Sequence, residues 1–264
     1  MTKPIKIVFI GAGNVAWSLA PALDILPNVE VVQVVARSVE SARTVTNRLS
    51  RAVASSSLID IDASADLYVI AVGDSQVGTV ARQLSGINNG AIWVHKSGSV
   101  LLDVLSPLGD NIGVFYPMQT FSKGRQVDIR KVPFFIEGMR PEVAASLESL
   151  ASQVSYRVSI LSGDDRMVLH AAAVFACNFT NHLLAISSDI LSSRGISLEV
   201  MKTLVEESVD KAFSSGPDNG QTGPARRGDI STINRHAELI GPPYSELYKT
   251  LSNSIINRFK DWSR

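Results

Sequence analysis

The feature that most constrains this chain lies in its first sixteen residues. Ile5 to Ile10 is a β-branched and apolar run interrupted only by Lys6, and Gly11-Ala12-Gly13-Asn14-Val15-Ala16 follows at once. Such a run is the pattern of a strand buried on both faces of a parallel sheet. Gly11 permits a tight turn after it, Gly13 lets a pyrophosphate approach the backbone, and the small Ala16 lets the next helix pack closely on the strand. The helix N-terminus then faces the phosphates. The strand and helix on either side make this a specific dinucleotide-binding fingerprint, with Gly11, Ala12, Gly13, Asn14 and Val15 as the phosphate loop.

The pattern that follows is an alternation. Asn14 to Leu26 reads as a helix stopped near Pro27, Val29 to Ala36 as a second buried strand, and Val39 to Leu49 as another helix. A weakly marked short strand is expected between Arg51 and Ile61, then the strand Leu67 to Val72 and a helix Val77 to Leu84. Strands are expected at Ala91 to His95, Ile112 to Tyr116 and Pro133 to Glu137. A helix from Pro141 to about Val154 and the strand-like Tyr156 to Ile160 close this part. The order predicts an α/β fold, an N-terminal Rossmann doubly wound sheet over residues 1–160.

Beyond it the character changes. Asp164 to Arg194 has no proline and is rich in alanine, leucine, valine and isoleucine, which predicts one long, largely buried helix. Ser197 to Phe213 predicts a second, with Ser197 as a cap and Glu199 near its positive end. Ser214 to Gly228 is turn-rich, with four glycines and two prolines, and the helices Ile230 to Ile240 and Tyr244 to Trp262 end the chain. Residues 161–264 are thus expected to form an all-helical domain.

The second strand ends in Ala36-Arg37-Ser38, where a protein preferring NAD would carry a carboxylate for the ribose hydroxyls. Arg37 suits stacking on adenine and pairing with a 2′-phosphate, and Ser38 adds a hydroxyl donor, so NADP is expected. Glu40 is the nearest residue able to restore NAD binding. Three segments fall at carboxyl ends of strands: Val72-Gly73-Asp74, His95-Lys96-Ser97-Gly98-Ser99 and Tyr116-Pro117-Met118-Gln119-Thr120. In a doubly wound sheet these ends converge, so Val72, Gly73, Lys96 and Ser97 are expected beside the cofactor and Gln119 beside a substrate.

Composition narrows the partners. The 264 residues carry 25 basic and 25 acidic side chains and are 45 % hydrophobic, so no net field attracts nucleic acid or an anionic membrane. A small-molecule substrate is favoured, with no nucleic acid and no membrane. The single cysteine, Cys177, has no internal disulfide partner. With the glycine turn arriving too early for a signal peptide, a cytoplasmic protein is expected.

The order of motifs resembles the 6-phosphogluconate-dehydrogenase-like superfamily, especially pyrroline-5-carboxylate reductase and the deazaflavin-dependent NADP oxidoreductases. The phosphate loop, Arg37-Ser38 and Ala65-Asp66-Leu67-Tyr68-Val69-Ile70-Ala71-Val72 carry that likeness. Phe115 to Ser122, His170 through His182, and Thr222 to Asp229 resemble more closely a bacterial family of Rossmann-like proteins labelled NADP oxidoreductases, whose C-terminal domain has no assigned function. The resemblance implies a homodimer formed through the helical domain, which would use the apolar stretch Ala171 to Ala176.

Many dehydrogenases of the superfamily carry a lysine on the first long helix of the C-terminal domain. No lysine lies between Asp164 and Arg194 here, so another group must handle the proton. His170 is the substitute, since an imidazole suits proton transfer near neutral pH. Asn178 is eight residues on and Asn181 close to the same helix face, so a shared cleft with His170 is expected. Tyr116 offers a phenolic donor, although Tyr116-Pro117-Met118 differs from the His-Pro-Met segment of prephenate dehydrogenases at its first residue. Arg226 and Arg227 suit a carboxylate or phosphate on the substrate, and Asp229 suits either that loop or a helix cap. No metal ion is called for. The expected activity is NADP-dependent reduction of a small carbonyl or imine compound. A non-catalytic NADP-binding sensor and an electron carrier working with a second cofactor such as a deazaflavin are the other classes open at this point.

Overall fold

A computed structural model describes residues 3–88 and 90–260, which divide into two compact units at Val174 and Phe175.

The first unit is built on eight strands: β1 (Ile5–Ile10), β2 (Val29–Val35), β3 (Val53–Ser55), β4 (Leu67–Ile70), β5 (Ile92–His95), β6 (Ile112–Pro117), β7 (Phe134–Gly138) and β8 (Val158–Ile160). Their order in the sheet is β3-β2-β1-β4-β5-β6-β7-β8. Neighbours run parallel except β6 and β7. The first six strands therefore have the doubly wound order of a Rossmann fold. The central strands are buried on both faces, as their unbroken apolar runs require: every residue of β4 and β6 is buried.

Helices cover both faces. On one lie α1 (Asn14–Asp24), α2 (Val39–Thr46) and α4 (Pro141–Ser152), which bury Leu19, Leu23, Val45 and Leu147 against Ile7, Phe9 and Phe115. On the other lie α3 (Val77–Gln83) and a 3₁₀ segment, Leu102–Leu108, packed with Val8, Ile70, Trp93 and Val114. The chain thus leaves β1 towards one face and β4 towards the other, and the crevice at their carboxyl ends is where this architecture receives ligands.

α5 (Gly163–Ala173) belongs to the first unit, although the sheet itself ends at Ile160. The long helix expected over 164–194 is interrupted. A π-helical segment, Val174–Phe179, joins α5 to α6 (Thr180–Ser192) in the second unit. Nor is it largely buried: Phe175 is 72 % exposed and Phe179 47 %. The 30 residues Gly163–Ser192 form a helix long and apolar enough to cross a membrane by length and composition alone.

The second unit continues with a 3₁₀ turn, Leu198–Met201, and α7 (Lys202–Ser215), capped as expected by Ser197, whose hydroxyl accepts from the Glu199 N–H at 3.2 Å. The glycine-rich stretch is not an open loop. It holds two single-turn helices, α8 (Pro217–Gly220) and α9 (Pro224–Arg227), each with proline in its first turn. α10 (Ile230–Ile240) and α11 (Ser245–Phe259) follow. Trp262, the expected end of the last helix, lies outside the described residues.

Candidate functional site in the crevice of the sheet

The phosphate loop sits between β1 and α1 as its spacing predicts. Gly11 has φ +112°, and a Cβ there would lie 2.6 Å from the Ala71 carbonyl oxygen, so only glycine lets β1 and the end of β4 come this close. Above Gly13 the nearest atom to an added Cβ is 3.8 Å away. α1 starts at Asn14 with Gly13 in the cap position and no capping side chain, which leaves its first N–H groups to a phosphate. Ala12 and Val15 line the same turn.

At the end of β2, Arg37 is exposed, and its guanidinium makes no ion pair or hydrogen bond among the described residues. The Ser38 hydroxyl accepts from the Ser41 N–H at 3.1 Å and so caps α2. Glu40 is turned onto the same helix start: its own backbone N–H and the Ser38 hydroxyl hold its carboxyl below the usual range. A dinucleotide fits this cradle, with a free guanidinium at the adenosine end.

Val72 and Gly73 lead from β4 into Asp74, which organises the next segment. Its carboxylate accepts from the Ser97 hydroxyl at 2.7 Å and the Ser99 hydroxyl at 2.9 Å, and it pairs with the Lys96 ammonium at 3.2 Å. Burial alone would raise the Asp74 pKa, but the two hydroxyls and the Lys96 charge outweigh it and hold the group below the ordinary carboxylate range. Lys96 and Ser97 thus stand at the crevice, already committed to Asp74. Beneath them His95 is fully buried, and its Nδ1 accepts from the Ser97 N–H at 3.1 Å. Burial and then the Arg166 charge push its pKa down to about 4, so the ring is neutral.

Tyr116, near the end of β6, reaches α5: its hydroxyl lies 3.2 Å from His170 Nδ1, and the rings meet edge to face. A phenol and an imidazole in hydrogen-bond contact at the carboxyl edge of the sheet can pass a proton between them. Gln119 is exposed, and its amide oxygen accepts from the Thr120 N–H at 2.8 Å, folding the side chain onto its own loop.

The other expected residues lie in the second unit. Asn178 is in the π-helical segment and Asn181 in α6, so the eight-residue spacing from His170 does not run through regular α-helix. Both are exposed in the single chain, so the expectation of a largely buried helix does not hold at these two positions. Arg226 stacks on the Phe259 ring, 4.2 Å from its centroid, while Arg227 is exposed. Asp229 caps α10, accepting from the Thr232 N–H at 3.0 Å.

Two residues that sequence reasoning did not place at the crevice shape it: Arg166, fully buried, and Glu137, which pairs with it at 2.8 Å. Asp74 and Gly98 lie in segments expected there, and the structure adds their roles, Asp74 holding the loop after β5 and Gly98 packed under Tyr116 and His170. In the sequence Arg166 reads as one more charge beside Asp164 and Asp165 in the first turn of a helix. Among the described residues no group of three or more His, Cys, Asp or Glu side chains is arranged to hold a metal ion.

Two family models match the chain, and the second begins within the first compact unit. Residues 2–118 match the model of a Rossmann-like domain, and residues 132–255 that of a domain of unknown function, DUF2520. A crystal structure from Bacteroides fragilis, provisionally named an NADP oxidoreductase, is 38 % identical, with TM-score 0.89 over 96 % of this chain and 98 % of that one. A Thermotoga maritima protein superposes with TM-score 0.71 at 19 % identity, covering 98 % of this chain and all of that one. An Aspergillus terreus reductive aminase, solved with NADPH and ethyl-5-oxohexanoate, shares the fold with TM-score 0.68 at 12 % identity over 97 % and 95 % of the two chains. No curated protein sequence matches the chain.

Proposed function

The chain belongs to the two-domain family of the Bacteroides fragilis protein, a Rossmann-like domain followed by a DUF2520 domain, and on that premise we propose that it is an NADP-dependent oxidoreductase. Its substrate is a small carbonyl or imine compound, reduced by hydride transfer. The observation that carries this reading is the Tyr116–His170 pair, 3.2 Å apart at the carboxyl edge of a sheet whose phosphate loop and Arg37 suit NADP.

The chain's own residues divide the work. The Gly11–Val15 turn and the N-terminus of α1 bind the pyrophosphate, and Arg37 binds the 2′-phosphate and stacks on the adenine. Val72, Gly73, Lys96 and Ser97 border the nicotinamide end of the crevice. When bound, reduced nicotinamide supplies the hydride. Tyr116 gives its proton to the carbonyl oxygen or imine nitrogen that gains negative charge, and the phenolate is reprotonated through His170, whose Nδ1 lies 3.2 Å away. Gln119, on the loop that leaves β6 in the same unit, orients the substrate.

The exposed apolar residues of the second unit support a homodimer. Phe175, Phe179, Leu204 and Phe213 are 72 %, 47 %, 62 % and 90 % exposed, a surface that a second copy of the same helices would cover. That covering favours a protein of the cytoplasm over one that uses the Gly163–Ser192 helix in a membrane.

Titration of the purified protein with NADPH and NADH, followed by nicotinamide fluorescence, tests the base of the proposal. NADPH is expected to bind more tightly, and Arg37→Asp to weaken it by about tenfold or more. Binding of neither nucleotide overturns the reading. With binding established, a panel of imines and carbonyls should be reduced by the wild type and scarcely by His170→Ala. Tight NADPH binding without any turnover would favour a sensor instead.

A further inference from the structure

Gly98 stands where the loop after β5 meets the Tyr116–His170 pair. A Cβ added to it would lie 2.5 Å from His170 Nδ1 and 2.8 Å from Tyr116 Cζ. The backbone of the loop is therefore the floor on which both rings rest, and displacement of the loop moves the pair. Two groups pin that loop. Asp74 holds the side chains of Lys96, Ser97 and Ser99 from one side. From the other, Arg166 Nη1 donates to the carbonyl oxygens of Ser97 at 3.1 Å and Val100 at 2.7 Å, while Nη2 donates to Glu137 Oε2 at 2.8 Å.

Arg166 is 0 % exposed, an unusual place for a guanidinium. Burying a charge carries a desolvation cost that a neutral side chain of similar volume would avoid, so packing alone does not account for it. What the guanidinium adds is a rigid planar fork that serves three carbonyls, those of Ser97, Val100 and, at 3.5 Å, Gly98, together with a carboxylate; a lysine ammonium offers a point charge instead. Arg166 also lies four residues before His170 in α5, one turn away on the same helix face. His95, the other titratable group facing the guanidinium, is neutral and adds no second positive charge.

We propose that Arg166 is a positioning residue for the Tyr116–His170 pair: by clamping the carbonyls of Ser97 and Val100 it fixes the seat of Gly98, and with it the spacing of phenol and imidazole. The proposal rests on the reading of those two side chains as the proton-handling groups. The geometry it concerns exists without substrate or cofactor.

The test uses the full-length chain labelled with ¹³C in its four histidines, His95, His170, His182 and His236, and reads their ring signals. Tyr116→Phe removes the hydroxyl and defines the His170 signal of a broken pair. Arg166→Lys and Arg166→Met are both expected to move the His170 signal towards that position, with His182 and His236 unchanged as controls. A His170 signal that stays at its wild-type position in Arg166→Lys overturns the proposal, because charge without the fork then suffices. Should the Arg166 variants not fold, Glu137→Gln decides: it removes the charge that aims the guanidinium, and a smaller shift in the same direction is expected, whereas none overturns the proposal. Titration of the same samples with NADPH keeps the two questions apart. Failure of the wild type to bind counts against the reductase reading, and bound NADPH with an unmoved His170 signal counts against Arg166 alone.

Discussion

The Arg48 guanidinium donates to the carbonyl of Trp17 and lies over its indole ring, 3.7 Å from the centroid. Pro21 explains the arrangement. It stands inside α1 without an N–H, so the Trp17 carbonyl four residues earlier loses its ordinary helical partner, and Arg48 replaces it from beyond α2. Arg48→Ala should lower stability by about 1–2 kcal/mol, combining an exposed cation–π contact with a charge-assisted hydrogen bond. In a Pro21→Ala background the restored amide can serve the carbonyl, and the cost of removing Arg48 should shrink to about half. Urea denaturation of the four proteins measures the difference; equal costs in both backgrounds would show that Pro21 and Arg48 are uncoupled.

Gly11→Ala strikes the cofactor cradle itself. The added methyl meets the Ala71 carbonyl at 2.6 Å, and the residue must hold φ +112°, which L side chains rarely adopt. The obstacle is backbone, so nothing swings aside. A loss of about 2 kcal/mol or more in stability is expected from the strained conformation and the overlap. NADPH affinity should fall with it, because relief requires β1 and β4 to part at the phosphate turn. A variant with wild-type melting and binding would contradict the close approach.

The sheet was legible because its strands are short apolar runs ended by glycine, proline or a polar turn, and each such run from Ile5 to Ile160 became a strand within a few residues of the expected limits. Buried parallel strands advertise themselves in this way, since both faces must be apolar. The helical part advertised less. An apolar stretch such as Ala171 to Ala176 reads the same whether its own chain covers it or a second copy does, and the π-helical turn at Val174–Phe179 leaves no mark in residue periodicity. The site divides along the same line. Gly11, Gly13, Arg37 and Lys96 were proposed for the site from their place after a strand. Arg166 and Glu137 were not, because a charge that is buried through a partner 29 residues away looks in sequence like a solvated one.

His95 makes stability depend on pH in a stated direction. Its pKa is about 4 in the folded chain against 6.5 ordinarily, so between those values the unfolded chain binds the extra proton and the folded one does not. Stability therefore rises with pH through that window, is complete above about 6.5, and falls as pH drops towards 4. The full span corresponds to about 3 kcal/mol. Denaturant unfolding at pH 7.0, 5.5 and 4.5, chosen as roughly even steps across the window, should show the decline, and His95→Gln should flatten most of it. An unchanged slope in the variant would assign the pH dependence to other groups.

The exposed rings of the second unit lead to a prediction about mass. Phe175 and Phe179 contact each other edge to face, 5.0 Å apart, yet both remain open to solvent, and α7 adds Leu204 and Phe213 to the apolar surface. Aromatic side chains left in water on this scale forfeit the free energy that burial would return, about 1.5–3 kcal/mol for each large side chain fully covered. A second copy offering the same helices covers them by symmetry, residue against residue. Sedimentation at micromolar concentration should find two chains for the wild type and one for Phe179→Glu, because a carboxylate at the centre of such an interface would be buried without a partner. The variant should still bind NADPH, since the phosphate loop and Arg37 lie in the other unit. A wild type that sediments as one chain would leave the apolar helices to some other partner and remove the argument for a homodimer.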